Sequence, residues 1–202
     1  MQTIKVVLVL VISVLSFTSF AKSEFSYDYI DTSIWRQEAS LNGIHLERYD
    51  GYLVSVSKAL TENIHLLGSY MDSENSNGDA LDNKAMGFGV NYPINKNTDI
   101  VIDYTHLKYY FSYVNQTNIG GRFNSIEANI LHQFSDDIEL SAGLIRNNKA
   151  GGVIVYKGYN VGAKYRINSN LSLRFKIQGL KDSKSPNSVD VDAKELGIRY
   201  YF

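Results

Sequence analysis

Leu171-Ser-Leu-Arg-Phe-Lys-Ile-Gln-Gly179 decides the fold. Leu171, Leu173, Phe175 and Ile177 take alternate positions, and Ser172, Arg174, Lys176 and Gln178 take the others. A helix would scatter both sets around its circumference; a strand separates them onto opposite faces. The pattern recurs. Ile126, Ala128 and Ile130 alternate with Glu127 and Asn129. Ile138, Leu140, Ala142 and Leu144 alternate with Glu139, Ser141 and Gly143. Tyr159, Val161, Ala163 and Tyr165 alternate with Asn160, Gly162, Lys164 and Arg166. Leu196, Ile198, Tyr200 and Phe202 alternate with Glu195, Gly197, Arg199 and Tyr201. Earlier segments are less clean, with Leu53, Leu67 and Val101 on the polar face, and none sustains a 3.6-residue period.

Four similar short segments punctuate the strands: Leu60–Ile64, Ile94–Ile100, Phe134–Ile138 and Ile167–Leu171. Each places Asn, Asp, Ser or Thr between two apolar residues, and these polar side chains favour tight turns by bonding their own backbone. The closing residues Ile64, Ile100, Ile138 and Leu171 are 36, 38 and 33 apart, the length of one hairpin. Longer polar connections fall between, at 36–43, 73–84, 111–121, 148–152 and 182–192. The spacing predicts ten strands, at about 25–35, 44–57, 64–72, 85–93, 99–110, 122–134, 138–147, 153–167, 171–181 and 193–202, with eight as the alternative. Short turns then gather at one end of a meander and longer loops at the other, and both termini fall at the turn end.

Residues 1–21 read as a secretory signal peptide: Lys5, the apolar run from Val6, and Ser19-Phe20-Ala21 before a cut after Ala21 or, nearly as well, Ser23. The remaining domain is 22–202. The chain has 202 residues, with 20 Lys+Arg against 21 Asp+Glu, so no basic excess suggests a nucleic-acid partner. The absence of cysteine excludes disulfides, thiolate metal sites and thiol nucleophiles.

Alternation alone does not say which face meets solvent, because soluble and membrane barrels share it. Three features favour a membrane. The polar face is charged and rich in small residues, including Gly87, Gly89, Gly143, Gly158, Gly162 and Gly197, which suit a crowded lumen. Aromatic residues Tyr92, Phe134 and Tyr165, with Tyr200 and Phe202, gather at the turn ends as an interfacial girdle does. Tight turns at one end and longer loops at the other match the asymmetry of outer-membrane barrels. The expected fold is therefore all-β, a single antiparallel up-and-down transmembrane β-barrel in the outer membrane, bathed by outer-membrane lipid.

On the signal, Tyr27-x-Tyr29, the phrase Leu60–Tyr70 and the terminal Gly197–Phe202, the chain resembles the small outer-membrane β-barrel proteins of Gram-negative bacteria, the OmpA-like or porin-like single-chain group. The resemblance implies that Ile198, Tyr200 and Phe202 form the signal read by the barrel-assembly machinery, with periplasmic chaperones as further partners.

Inward parity collects Asp28, Asp103, Glu127, Glu139 and Glu195 with Lys164, Arg166, Arg174, Lys176 and Arg199. Lys164 lies opposite Arg174, a like-charge pair that requires nearby acids. These residues form either a side-chain plug or the basic wall of a narrow pore for anions or small polar solutes. Alternatively, the loops act as a surface adhesin, with Tyr109, Tyr110, Phe111 and Tyr113 as anchors; those aromatics more often form an outer girdle. A hydrolase is the weakest reading. His45, His65, His106 and His132 show no metal spacing, and no nucleophile elbow or phosphate-binding glycine motif is present. No catalytic residue, metal or cofactor is expected.

Overall fold

The computed structural model describes residues 25–114, 119–149, 155–182 and 189–202. The signal segment 1–21 lies outside the described residues. Ten antiparallel strands form a closed barrel in sequence order: β1 (Tyr29–Leu41), β2 (Ile44–Ala59), β3 (Ile64–Asn75), β4 (Ala80–Asn95), β5 (Thr98–Ser112), β6 (Ile119–Gln133), β7 (Ile138–Lys149), β8 (Val155–Arg166), β9 (Leu171–Asp182) and β10 (Val189–Tyr201). β1 pairs with β10 from Tyr29–Tyr201 to Leu41–Val189, so the sheet has no edge. The strand count is ten, not the alternative of eight.

The four short turns fall where the repeat places them, and Thr, Asn and Ser side chains close them. The Thr61 hydroxyl accepts from the Ile64 amide, and the Asn168 carboxamide accepts from the amides of Asn170 and Leu171. At the other end the strands run further than expected. The polar text 36–41 continues β1, and the first long loop shrinks to the two residues Asn42 and Gly43, with φ of 52° and 80°. Two successive positive φ angles make the hairpin turn that matches strand twist, which Asn-Gly favours. Likewise Ser73–Asn75 belongs to β3 and Ala80–Lys84 to β4; Gly78 turns between them at φ 83°. Residues 25–28 precede the first strand instead of beginning it.

Rows of paired residues are inclined to the barrel axis. From Ile34 a row runs through Leu196, Phe175, Ala163, Leu140 and His132 to Thr98 at the turn end. The strands are therefore tilted, as closing a sheet requires.

The expected apolar face points outward. Leu144 and Met86 are each 71% exposed, and Ile34, Phe88, Ile130, Tyr159, Phe175 and Ile198 are exposed on other strands. This greasy outer surface is continuous only over the turn-side part of the wall, with Ile44, Leu46, Tyr110 and Ile119 exposed separately beyond it. Along β1 it ends after Ile34, where Arg36 follows on the same face. Along β7 it ends after Leu144, before Arg146, and along β8 after Tyr159, before Lys157. Inside, the loop-side half holds an apolar cluster of buried residues, Tyr49, Met71 and Leu81, packed with Trp35, Leu53, Tyr109 and Phe111.

Candidate functional site

The lumen holds a cavity of about 720 Å³ that changes character along its length. Toward the turns it is ionic. Asp31 on β1 is 1% exposed and Glu195 on β10 is 3% exposed. Burying two carboxylates is costly unless cations and donors satisfy them. The Arg199 guanidinium meets Asp31 bidentately, Nε to Oδ1 at 2.7 Å and Nη2 to Oδ2 at 2.8 Å. Arg174 donates through Nη1 to Asp31 Oδ2 at 2.7 Å and reaches Glu195 Oε1 at 2.8 Å. The Ser33 hydroxyl donates to Glu195 at 2.7 Å. Arg199 also lies over the Tyr29 ring, 3.4 Å from its centroid.

Three further groups fill the same half. Lys176 on β9 reaches Glu127 on β6 at 2.9 Å, and Glu127 also accepts from Asn129 and Asn160 at 2.8 and 3.0 Å. Lys164 pairs with Glu139 and donates to the Tyr201 hydroxyl. His65 Nε2 lies 3.0 Å from Asp103 Oδ1, and the Tyr27 ring stacks on His65 at 4.7 Å while its hydroxyl donates to Asp99 at 2.7 Å. Residues 25–28 thus bring Tyr27 into the turn end of the lumen. Gly89 is required here: a Cβ at that position would collide with both Asp103 Oδ1 and His65 Nε2.

Lys164 does face Arg174 across the β8–β9 pair, and each finds its own acid. Glu127 and Glu139 meet Lys176 and Lys164, bases of β9 and β8. The two arginines instead meet acids of β1 and β10, not those of β5 to β7. Asp31, the most connected of these carboxylates, was not among the sequence candidates, although its inward parity follows from Ser33 and Trp35. Two candidates do not line the cavity. Asp28 precedes β1 and binds Lys58 at 3.0 Å and the Ala59 amide at 2.9 Å. The Lys58 ammonium holds its carboxyl below the ordinary range. Arg166 is exposed at the end of β8, where the wall stops. Phe134 and Tyr165 are exposed at the turn end, Tyr92 is partly exposed, and Ile198, Tyr200 and Phe202 all face outward.

Toward the loops the cavity becomes an aromatic cup. Tyr109 packs against Phe123 at 5.3 Å and Phe111 at 5.6 Å; Phe111 continues to Tyr49 at 6.2 Å and Phe123 to Tyr156 at 6.0 Å. Tyr109 and Phe111 are therefore neither outer girdle nor loop anchors, since odd parity on β5 turns them inward. Trp35 Nε1, Asn83 Oδ1 and Asn147 Oδ1 line this space, buried and without a partner among the described residues. Of the histidines, His106 faces Asn124 and His132 faces Thr98. Among the described residues no cluster of three His, Asp or Glu could hold a metal.

No family model matches the chain, and no curated protein matches it. Solved barrels do. Ail, the attachment invasion locus protein of Yersinia pestis, in complex with the heparin analogue sucrose octasulfate, is 16% identical, with 87% of this chain and 97% of that chain covered and a TM-score of 0.42. The KdgM porin in complex with disordered oligogalacturonate is 11% identical, covering 84% and 99%, with a TM-score of 0.46. Neisserial surface protein A is 11% identical, covering 88% and 98%, with a TM-score of 0.49. These are likenesses of fold alone.

Proposed function

We propose that this chain is an integral β-barrel of a bacterial outer membrane, held shut toward the turns by ion pairs and presenting an aromatic cup toward the loops. One observation supports it: the wall reverses polarity at one height on both faces. On the turn side, apolar residues face out and charges face in. On the loop side, charges such as Arg36, Arg146 and Lys157 break up the outer face, which keeps only scattered apolar residues such as Ile44 and Tyr110, and the Tyr49–Met71–Leu81 cluster faces in. A barrel wholly in water has no use for the first arrangement, whereas hydrocarbon around the turn-side half requires it. The signal peptide delivers the chain across the inner membrane, and Ile198, Tyr200 and Phe202 engage the assembly machinery. Outward exposure of all three is consistent with that role. With each of the lumen carboxylates named above partnered by a lysine or arginine, by His65 or by the Tyr27 hydroxyl, the role is structural or binding, through the cup and loops, with no catalytic chemistry.

The second reading, a narrow anion-preferring pore, draws on the cavity reaching from Tyr113 at the loop end to Glu139 at the turn end past Lys164, Arg174 and Lys176. Planar-bilayer recording separates the two. The plugged barrel gives no conductance steps above background; steady anion-selective openings overturn it in favour of the pore. The membrane assignment is checked by alkaline washing of cell envelopes. The protein stays in the pellet, and recovery as a folded soluble species in the periplasm refutes the assignment.

A further inference from the structure

Just beyond the loop-side edge of the greasy belt, the outer wall carries cations in register. Lys84, Lys108 and Arg122 occupy directly paired positions on β4, β5 and β6. Arg146, Lys157 and Lys181 do the same on β7, β8 and β9. All six are exposed. The second row starts four residues nearer the turns, since Arg146 faces Ile126 and not Arg122. Rows of pairs climb the barrel as they pass from β4 toward β10, so this step back returns the second row to the height of the first. The six cations thus form one level collar.

Like charges directly opposite one another on a sheet repel. Here nothing on the wall offsets them over four strands. From the belt edge to the loop end, the outward positions of β5 to β8 contain no Asp or Glu. Among the described residues Lys108, Arg122, Arg146 and Lys157 form no salt bridge; Arg146 donates only to Asn148, at 3.3 Å. At the ends of the collar Lys84 lies 5.5 Å from the Tyr70 ring and Lys181 lies 3.5 Å from Asp190. Neighbouring strands lie about 5 Å apart, so each triplet presents three cations within the span of one or two phosphate groups.

We propose that this collar binds the phosphates of a multiply phosphorylated lipid in the leaflet facing the loops, whose acyl chains lie along the greasy belt below. This rests on the membrane reading above. The site differs from the lumen in being open to lipid from the side. Four of its cations, Lys108, Arg122, Arg146 and Lys157, are stacked with no counter-charge of their own, and it sits where hydrocarbon gives way to headgroups.

The test uses the full barrel refolded into phosphatidylcholine vesicles with or without lipid A, scored by bound lipid A and by the unfolding midpoint on unboiled gels. A triple variant, Lys108→Ser/Arg122→Ser/Lys157→Ser, removes half the collar. Each cation lost weakens lipid A binding about fivefold, roughly a hundredfold for all three. In pure phosphatidylcholine the variant melts at or above the wild-type midpoint, because repulsion has been relieved. Equal lipid A binding by variant and wild type overturns the proposal. So does an equal midpoint shift from inorganic phosphate, which would mean a free anion and not a lipid. Failure of the wild type to insert into any vesicle is a different result: it removes the membrane reading, and this proposal with it.

Discussion

The turn-side and loop-side halves of this barrel are built inside out relative to each other. In the turn-side half, Asp31, Glu139 and Glu195 are buried in the lumen and Glu127 is half-buried there, each with its cation, while Leu144, Phe175 and Ile198 face outward. In the loop-side half, Tyr49, Met71 and Leu81 are buried in the lumen while Arg36, Asp50 and Lys157 face outward. On the membrane reading proposed above, one backbone design serves two solvents, and the side-chain phase alone tells each half which one surrounds it. The turn-side half stakes its stability on charge pairing, because its outer surface gains nothing from packing against protein.

The sharpest way to break that arrangement is Arg174→Glu. It places a carboxylate between Asp31 and Glu195, both almost fully buried, and removes their shared cation. Breaking a buried pair costs about 3–5 kcal/mol, and the charge reversal costs more. The unfolding midpoint on unboiled gels falls well below that of Asp31→Asn, which leaves Arg174 and Arg199 to Glu195 and Tyr29. An unchanged midpoint for Arg174→Glu would mean that the lumen is wet and its charges independently solvated.

A smaller effect tests the outer surface. Leu144→Arg places a charge on the belt at a position 71% exposed, where substitution in a water-soluble barrel is close to neutral. In lipid it costs about 2–4 kcal/mol near the midplane and less toward the edge. Arg146→Leu, two residues on, carries no such cost. Refolding titrations in vesicles for the two variants measure the difference directly, and equal stability would place both residues in water.

The smallest effect concerns Asp28. Its carboxyl is held below the ordinary value by Lys58, so its contribution to stability is complete above the unfolded carboxylate pKa of about 3.9. It is lost as pH falls through the lower folded value. Wild type therefore loses slightly more stability than Lys58→Met between neutral pH and about pH 3, read as the difference between two acid titrations of the midpoint. Parallel curves would show that the pair is idle.

Much of this was legible in the residues, and unevenly so. Strands β7, β9 and β10 could be read almost to their ends in the turn-side half because Leu140, Leu173 and Ile198 alternate cleanly with Glu139, Arg174 and Arg199. The loop-side extensions of β1, β3 and β4 were hidden by the polarity reversal. Where Met71 and Leu81 turn inward while Asp72 and Asp82 turn outward, apolar residues change phase, and a text such as Asp72–Asp79 resembles a loop. Asn42-Gly43 did carry its signal, since that dipeptide marks a two-residue hairpin. The lumen charges followed from parity, but their partners did not. Which acid Arg174 meets depends on how far the sheet is staggered when it closes, and that is set by all ten pairings together.

The pairing of Asp31 with Arg199 spans 168 positions of chain and straddles the seam where the first strand meets the last. The lumen carboxylate that leaves the ribosome first must wait for guanidiniums that leave among the last. Until the hoop is shut, that carboxylate lacks both arginines, so shutting the hoop and filling its bore are a single event. Any unfinished chain carries an unquenched charge at its leading edge, a latch that engages only on a complete molecule.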